Sequence, residues 1–219
     1  MKILCINFKG GVGKSTTAVH ITGVMSGIGN TLLVDGDRQV NSYSFFLRGD
    51  LPQTDKVVEI SNSLSVITLN SLSPTSRHAL SQRISKIGKL KFEHLVFDTT
   101  PDAFSAAQII SEIEPDIILV PVKYGDEGGL IQLRHVFNSI QALIATGLNP
   151  VVKIVPIGID EGSIIPFLPA VTFSFSFTDL IPADPLVFGM AMFRDFEYIW
   201  TYAGYEYLYD VYYNMIFGK

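Results

Sequence analysis

The sequence predicts an α/β fold in three layers, with helices on both faces of a mostly parallel β-sheet. Apolar runs alternate along the chain with segments of helical periodicity, a pattern that gives a parallel sheet with right-handed crossovers. The apolar runs are almost uninterrupted, as in Ile-Ile-Leu-Val-Pro-Val at 117–122, which is typical of strands buried on both faces. A glycine-rich turn also joins the first apolar run directly to the first helical segment.

Each element is predicted from its own pattern. The first strand is the apolar run at 2–8, and a helix follows because apolar residues between 18 and 25 recur on one helical face. The same criteria predict strands near 31–36, 64–70, 94–98, 116–122 and 151–157, and helices near 14–27, 41–48, 76–88, 103–113 and 127–145. The alternation of Phe173, Phe175 and Phe177 suggests one more strand with a phenylalanine face toward the core.

Near the C-terminus, tyrosines recur at helical spacing, at Tyr198, Tyr202, Tyr205, Tyr209 and Tyr212. The stripe predicts a terminal helix that packs on the rest of the domain and is broken only at a glycine. A surface for a protein partner is the alternative, because tyrosine is favoured at interfaces. Membrane attachment is disfavoured, since acidic residues outnumber basic ones in this segment and anionic lipid attracts lysine and arginine.

Length and composition restrict the class of protein. A chain of 219 residues with 47% hydrophobic residues is expected to form a single domain over residues 1–219. No apolar run approaches the ~18 residues of a membrane span. The only cysteine excludes an internal disulfide and a cysteine-built metal site. Because the N-terminus leads directly into the first strand, no secretory signal is expected, and a cytoplasmic location is predicted.

The turn after the first strand has the pattern of a phosphate-binding loop. Its residues are Lys9, Gly10, Gly11, Val12, Gly13, Lys14, Ser15 and Thr16. The glycines let successive backbone N–H groups converge on an anion, and the start of the following helix adds a partial positive charge. A lysine then reaches the β- and γ-phosphates, and the adjacent serine hydroxyl is a ligand for Mg²⁺. We therefore expect nucleotide binding here.

This loop departs from the standard pattern at two positions. Phe8 stands where the standard loop begins with glycine, and Lys9 adds a second lysine. The motif resembles the deviant Walker A motif of the ParA/MinD family of ATPases. The resemblance implies ATP as the nucleotide and a sandwich dimer, in which Lys9 crosses the interface to the phosphates bound by the other subunit. A cation supplied in trans neutralises charge on the transferring phosphoryl group, as an arginine finger does.

Two further motifs follow at strand ends. Residues 31–39 end in Asp35 and Asp37, and they resemble the family's Asp-x-Asp-Pro-Gln motif with Arg38 in place of proline and Asn41 in the usual position. The resemblance implies that Asp37 belongs to switch I, orients the attacking water and contributes to the Mg²⁺ site. Taken without the family, the two carboxylates are equally a polar strand end that begins a turn.

The third motif is the apolar run at 94–98, which ends in Asp98 and is followed by Pro101. A carboxylate at this position is a Walker B group that holds the hydration shell of Mg²⁺ beside Ser15. Residues 99–106 would form switch II. The pair Ile181-Pro182 resembles a pair that lines the adenine pocket in relatives, so Pro182 is a candidate base contact. The alternative is that this proline only marks a turn in a loop.

The charge of the chain restricts which partners it can attract. The net charge of −5 gives no general attraction to nucleic acid. One basic patch is formed by Arg83, Lys86, Lys89 and Lys91, and such a patch is either a DNA contact or a solvated helix face. Binding to non-specific DNA and to a ParB-like adaptor is implied by the resemblance, which is to the short ParA form without an N-terminal helix-turn-helix.

These observations lead to a ranked set of functions. The first is a ParA-like ATPase whose ATP-dependent dimer and adaptor-stimulated hydrolysis partition or position a plasmid, a chromosome region or a protein cargo on the nucleoid. A MinD-like ATPase that works on a membrane surface and a metabolic P-loop enzyme of the same fold are the alternatives. A nucleotide-binding scaffold without turnover is disfavoured by the complete set of Lys14, Ser15, Asp37 and Asp98.

Overall fold

The apolar runs form the strands of one sheet. The computed structural model describes residues 1–51, 56–69 and 77–218, without the side chains of 77–79 and 103–105. Its strands are β1 (Lys2–Cys5), β2 (Thr31–Asp35), β3 (Val58–Ser61), β4 (Leu64–Thr68), β5 (His94–Asp98), β6 (Ile117–Lys123), β7 (Val151–Ile157) and β8 (Phe175–Phe177). Strands β2 and β4 are buried along their full length, as expected for strands covered on both faces.

The sheet is mostly parallel, which confirms the predicted fold class. Within the described residues it has eight strands in the order β3-β4-β2-β5-β1-β6-β7-β8. Only β3 runs antiparallel to its neighbour, β4. The sequence analysis did not predict β3, because this four-residue edge strand alternates half-buried and exposed positions and contains no apolar run.

Helices cover both faces of the sheet. They are α1 (Lys14–Ser26), α2 (Asn41–Phe46), α3 (Arg77–Gly88), α4 (Ala103–Ile113), α5 (Glu127–Ile144), α6 (Glu161–Ile164), α7 (Pro185–Met190) and α8 (Leu208–Phe217). One apolar core lies between the sheet and α3, α4 and α5. A second core lies on the opposite face, beneath α1, α2 and α8. The three predicted layers are therefore present. The predicted positions 70 and 76 lie outside the described residues.

The phenylalanine alternation is confirmed as a strand. Phe175 and Phe177 belong to β8, and Phe173 lies just before it. The ring of Phe137 in α5 packs against Phe173 and Phe175, with ring centroids 5.6 and 5.2 Å apart. The phenylalanine face therefore joins the core beneath α5, as the alternation predicts.

The prediction of one helix along the tyrosine stripe was wrong for its first half. A short 3₁₀ turn at Ile199–Thr201 is followed by irregular backbone, and α8 begins only at Leu208. Gly204 has a φ of +86°, which a helix does not accommodate. Two tyrosines before α8 hold this segment in place: the Tyr202 hydroxyl donates to Asp195 and the Tyr205 hydroxyl donates to Asp184.

A buried histidine joins α1 to this C-terminal segment. The Nε2 atom of His20 accepts the backbone N–H of Ile199 at 2.9 Å. Nδ1 therefore carries the proton, and it donates to the carbonyl of Thr16 at 2.7 Å. The imidazole stacks on the ring of Tyr212 with a centroid distance of 4.8 Å and an interplanar angle of 15°. Both ring nitrogens are thus satisfied in the neutral state only.

Among the described residues, no helix has the length and apolarity needed to cross a membrane.

We expect His20 to make stability sensitive to acid. Burial lowers its pKa from 6.5 to about 4, so the unfolded chain takes up a proton at a higher pH than the folded chain. The contribution of the neutral ring to the free energy of unfolding is fully present above pH 6.5, and it is lost as the pH falls to about 4. The lost part amounts to about 3 kcal/mol.

The measurement is urea unfolding of the wild type and of His20→Asn at pH 7, 5.5 and 4. Asparagine has no titrating ring, so the stability difference between the two proteins isolates His20 from the buried carboxyl groups. We expect this difference to shrink steadily toward pH 4. A difference that is the same at all three pH values would contradict the assignment.

Candidate functional site

The three sequence motifs meet at one edge of the sheet. Strands β1, β5 and β2 are neighbours, and in register Cys5 pairs with Asp98, which in turn pairs with Asp35. Because the strands are parallel, the loops that follow them emerge at the same edge, where ligands bind in open α/β sheets. The structure thus brings together the candidate residues of all three motifs.

The glycine-rich loop is anchored by a residue that the sequence analysis did not single out. Asn7 is fully buried between β1 and the loop. Its Nδ2 donates to the carbonyl of Pro121 in β6 at 2.9 Å, and its Oδ1 accepts the N–H of Lys9 at 3.1 Å. The only sequence signal was a polar residue inside an apolar run. Asn7 therefore fixes the entry of the loop relative to the sheet.

The loop ends where α1 begins, in a form suited to an anion. Gly13 precedes the helix with φ of 99°, and no described side chain caps the helix start. A Cβ at Gly13 would be strained by this backbone conformation and would displace the end of the Ile157 side chain, whose Cδ1 lies 2.5 Å from its position. The first turn of α1 contains no acidic residue. Its N–H groups and dipole are available for a phosphate.

Lys14 is buried at this helix start. The residue is only 5% exposed. Its ammonium group donates a hydrogen bond to the Lys9 carbonyl at 2.9 Å. Burial lowers the pKa of Lys14, while Asp98 and then Asp37 counteract that effect. A buried ammonium with one hydrogen bond retains donors for a further partner, and a phosphate would supply the missing acceptors.

Asp98 is the buried carboxylate of the site. Neither of its oxygens has a hydrogen-bond partner of standard geometry among the described residues, although Ser15 and Lys14 lie near enough to lower its pKa. Burial outweighs them and raises that pKa above its ordinary value. A buried carboxylate without a partner is costly, and the water shell of a Mg²⁺ ion is what such a group would bind. The residues present therefore fit the ion.

The two aspartates after β2 have different surroundings. Asp35 is fully buried and accepts three hydrogen bonds, from the Asp37 N–H, the Ser42 hydroxyl and the Tyr43 N–H. Asp37 is half-buried in the following loop, where among the described residues it accepts one hydrogen bond, from the N–H of Gln39 at 3.0 Å. Asp35 therefore organises the turn into α2, and Asp37 is left facing the site.

Lys9 lies at the surface of the loop. Its backbone is held by Asn7 and Lys14, while its side chain runs along the start of α5. A methyl group on Gly128 would lie only 3.1 Å from the Lys9 Cε. The side chain is exposed and makes no ion pair among the described residues. The Lys9 side chain thus points away from its own loop and lies against the start of α5.

A pocket opens beside the start of α1. Its lining includes Thr16 of the loop, Ile157 at the end of β7, Pro182, Phe188 of α7 and Tyr212 of α8. Pro182, the candidate base contact, therefore lines the same pocket as Thr16 of the phosphate loop. Ile157, Phe188 and Tyr212 were not assigned to a site from the sequence, because they lie far apart along the chain and only the fold brings them together. Apolar walls with a few polar groups are typical of a pocket for a planar ring.

Comparison with known proteins identifies a family and a fold. The sequence profile of the CobQ/CobB/MinD/ParA nucleotide binding domain matches residues 3–164. None of the curated proteins matches the chain significantly in sequence.

Several solved structures match over nearly the whole chain. Apo McdA from Cyanothece has a TM-score of 0.77 at 17% identity, covering 98% of both chains. A putative plasmid partition protein from Borrelia burgdorferi, bound to AMPPNP, has a TM-score of 0.69 at 17% identity, covering 99% of this chain and 98% of its own. The MinC:MinD cell division complex of Aquifex aeolicus gives 0.71 at 15% identity, with 100% and 96% covered. At these identities the likeness establishes the fold.

We expect Asp98→Asn to remove the magnesium-dependent part of nucleotide stabilisation. A ligand that binds only the folded state raises the melting temperature, and the carboxylate is the group that would hold the ion. The measurement is thermal unfolding with ATP, with and without Mg²⁺.

Asp35→Asn is the matched control, because it lies in register beside Asp98 but has its own hydrogen-bond partners. It should lower the melting temperature of the free protein and keep the shift caused by Mg²⁺. An equal magnesium shift in wild type and Asp98→Asn would argue against the metal site.

Proposed function

Because the chain belongs to the CobQ/CobB/MinD/ParA family of nucleotide-binding domains, we propose that it is a ParA-type ATPase that partitions or positions a cargo. Residues 1–219 act as one domain that binds ATP and Mg²⁺ and forms a sandwich dimer. A ParB-like adaptor stimulates slow hydrolysis, which releases the dimer from the nucleoid in the cytoplasm. The observation that carries the proposal is a buried lysine at the loop beside a buried carboxylate at the end of β5, which has no hydrogen-bond partner of standard geometry among the described residues. An exposed second lysine lies in the same loop.

Each candidate residue has a role in this cycle. The backbone from Gly10 to Thr16 surrounds the phosphates, and Lys14 neutralises their charge. Ser15, Asp37 and Asp98 hold the magnesium ion, which when bound neutralises charge on the phosphoryl group. Asp37, the acidic group that remains accessible after β2, orients the attacking water. Pro182 lies against the base.

Lys9 is the residue that links nucleotide binding to dimerisation. Lys14, buried at the start of α1, serves the phosphates of its own subunit. The Lys9 side chain lies outside that pocket, on the surface beside α5, where a second subunit can approach it. A charge supplied across the interface would be effective only when both subunits are present, so ATP occupancy and pairing become coupled.

We expect Lys9→Ala to remain monomeric in ATP and Mg²⁺ under conditions in which the wild type dimerises. The lost interaction is one between opposite charges at a water-excluded interface, where such contacts are strongest. Sedimentation velocity with ATP, ADP and no nucleotide measures the change. Lys89→Ala, which removes an exposed lysine far along the sequence from the loop, is the control. A Lys9→Ala protein that dimerises and hydrolyses ATP normally would refute the trans-lysine mechanism.

DNA binding is proposed from the family and from a local basic patch. The patch lies on α3 and the residues after it, where Lys86, Lys89 and Lys91 are exposed. Arg83 instead donates to the carbonyls of Thr68 and Leu69 at the end of β4. The net charge of −5 makes a single subunit a weak ligand for DNA. A dimer doubles the number of lysines that face one duplex.

We expect retention on non-specific DNA only with ATP, and retention should fall steeply between about 50 and about 200 mM salt, because each phosphate contact releases counterions. Combined Lys86→Glu, Lys89→Glu and Lys91→Glu substitutions should abolish it without changing dimerisation.

The wild-type protein is also tested for binding to liposomes of anionic lipid, with and without ATP. ATP-dependent lipid binding in the absence of DNA retention would favour the MinD-like alternative, and a small-molecule substrate that stimulates product formation would favour the metabolic one.

A further inference from the structure

Tyr212 in α8 lines the pocket beside the phosphate loop and has unused hydrogen-bonding capacity. We propose that the Tyr212 hydroxyl contacts the base of the bound nucleotide, and that His20 is the positioning residue for its ring. The inference deepens the proposed function, on which it rests. It makes the C-terminal helix part of the nucleotide site, although the family profile ends at residue 164.

The first argument is the state of the hydroxyl. Tyr212 is only 1% exposed, and its hydroxyl forms no hydrogen bond with a described residue. Two tyrosines nearby along the chain, Tyr202 and Tyr205, by contrast donate to carboxylates. A phenol hydroxyl in a buried residue usually has a partner, since leaving it without one costs free energy. The pocket is the place where such a partner would be found.

The second argument is the position of the pocket. Gly13 and Thr16, at the start of α1, belong to its lining, so the pocket adjoins the phosphate loop and is within reach of the base of a nucleotide whose phosphates lie on that loop. Ile157, Pro182 and Phe188 give it apolar walls. A flat aromatic ring fits between apolar side chains, and one well-placed hydroxyl satisfies a polar atom at its edge.

The third argument is that the ring of Tyr212 is held in place. It stacks on His20 at 4.8 Å, and Trp200 contacts it edge-on at 6.0 Å. His20 is fixed in turn by hydrogen bonds to the Thr16 carbonyl and the Ile199 N–H. The same histidine therefore contacts the first turn of the phosphate-binding helix and the ring that faces the base. Phosphate binding and base binding share one rigid support.

The experiment is isothermal titration of the wild type, Tyr212→Phe and Tyr213→Phe with two ligands, ATP and inorganic tripolyphosphate, both with Mg²⁺. Phenylalanine keeps the ring stack and removes only the hydroxyl. We expect Tyr212→Phe to bind ATP about tenfold more weakly, as for the loss of one buried hydrogen bond, and to bind tripolyphosphate like the wild type. Tyr213→Phe, a neighbouring residue of α8 that is 39% exposed, should bind both ligands normally.

His20 is tested by whether it acts through Tyr212. His20→Asn should weaken ATP binding selectively, and the double variant His20→Asn with Tyr212→Phe should be little worse than His20→Asn alone, because a displaced ring has already lost its contact. A merely structural role would weaken both ligands alike and add to the effect of Tyr212→Phe. That result would overturn the positioning role.

The outcomes separate the two proposals. ATP binding that is equal in wild type and Tyr212→Phe would overturn the base contact and leave the proposed function intact. A wild type that binds neither ligand would overturn the proposed function, and the base contact with it.

Discussion

Lys14 and Asp98 are buried within electrostatic reach of each other without forming an ion pair among the described residues. Burial lowers the pKa of the lysine and raises the pKa of the carboxyl group, so the charged state of each is costly. The cost is tolerated because the parallel strands and the start of α1 impose the positions. A phosphate and a hydrated cation would satisfy both groups together. The fold therefore both buries these two charged groups and makes them suited to bind a phosphate and a cation.

A second constraint attaches the C-terminal segment to this site. His20 contacts the carbonyl of Thr16 on α1 and the N–H of Ile199 at the start of the segment. Asp184 and Asp195 also hold the segment, because each accepts a hydrogen bond from a tyrosine hydroxyl that follows Ile199. These bonds position the pocket wall and the phosphate loop relative to each other. The phosphate loop and the C-terminal segment are therefore connected by direct side-chain contacts.

The elements with strong local patterns were predictable. The strands from β1 to β7, except β3, coincide with apolar runs, because most positions of a strand buried on both faces are apolar. The phosphate loop was recognisable because its glycines, lysine and serine are contiguous. The edge strand β3 has no such signal, and the tyrosine stripe has the period of a helix that Gly204 interrupts. Local periodicity does not report where the backbone must turn.

The sequence by itself determined the fold class, the phosphate loop and the family to which the chain belongs, since each depends on residues that are close together along the chain. Only the tertiary structure decided that Asp35 is saturated by three hydrogen bonds while Asp37 remains accessible. It alone placed Asn7 under the loop and Tyr212 in the pocket wall. These roles depend on contacts between residues as far apart as His20 and Tyr212, and such contacts exist only after the strands have paired and the helices have packed.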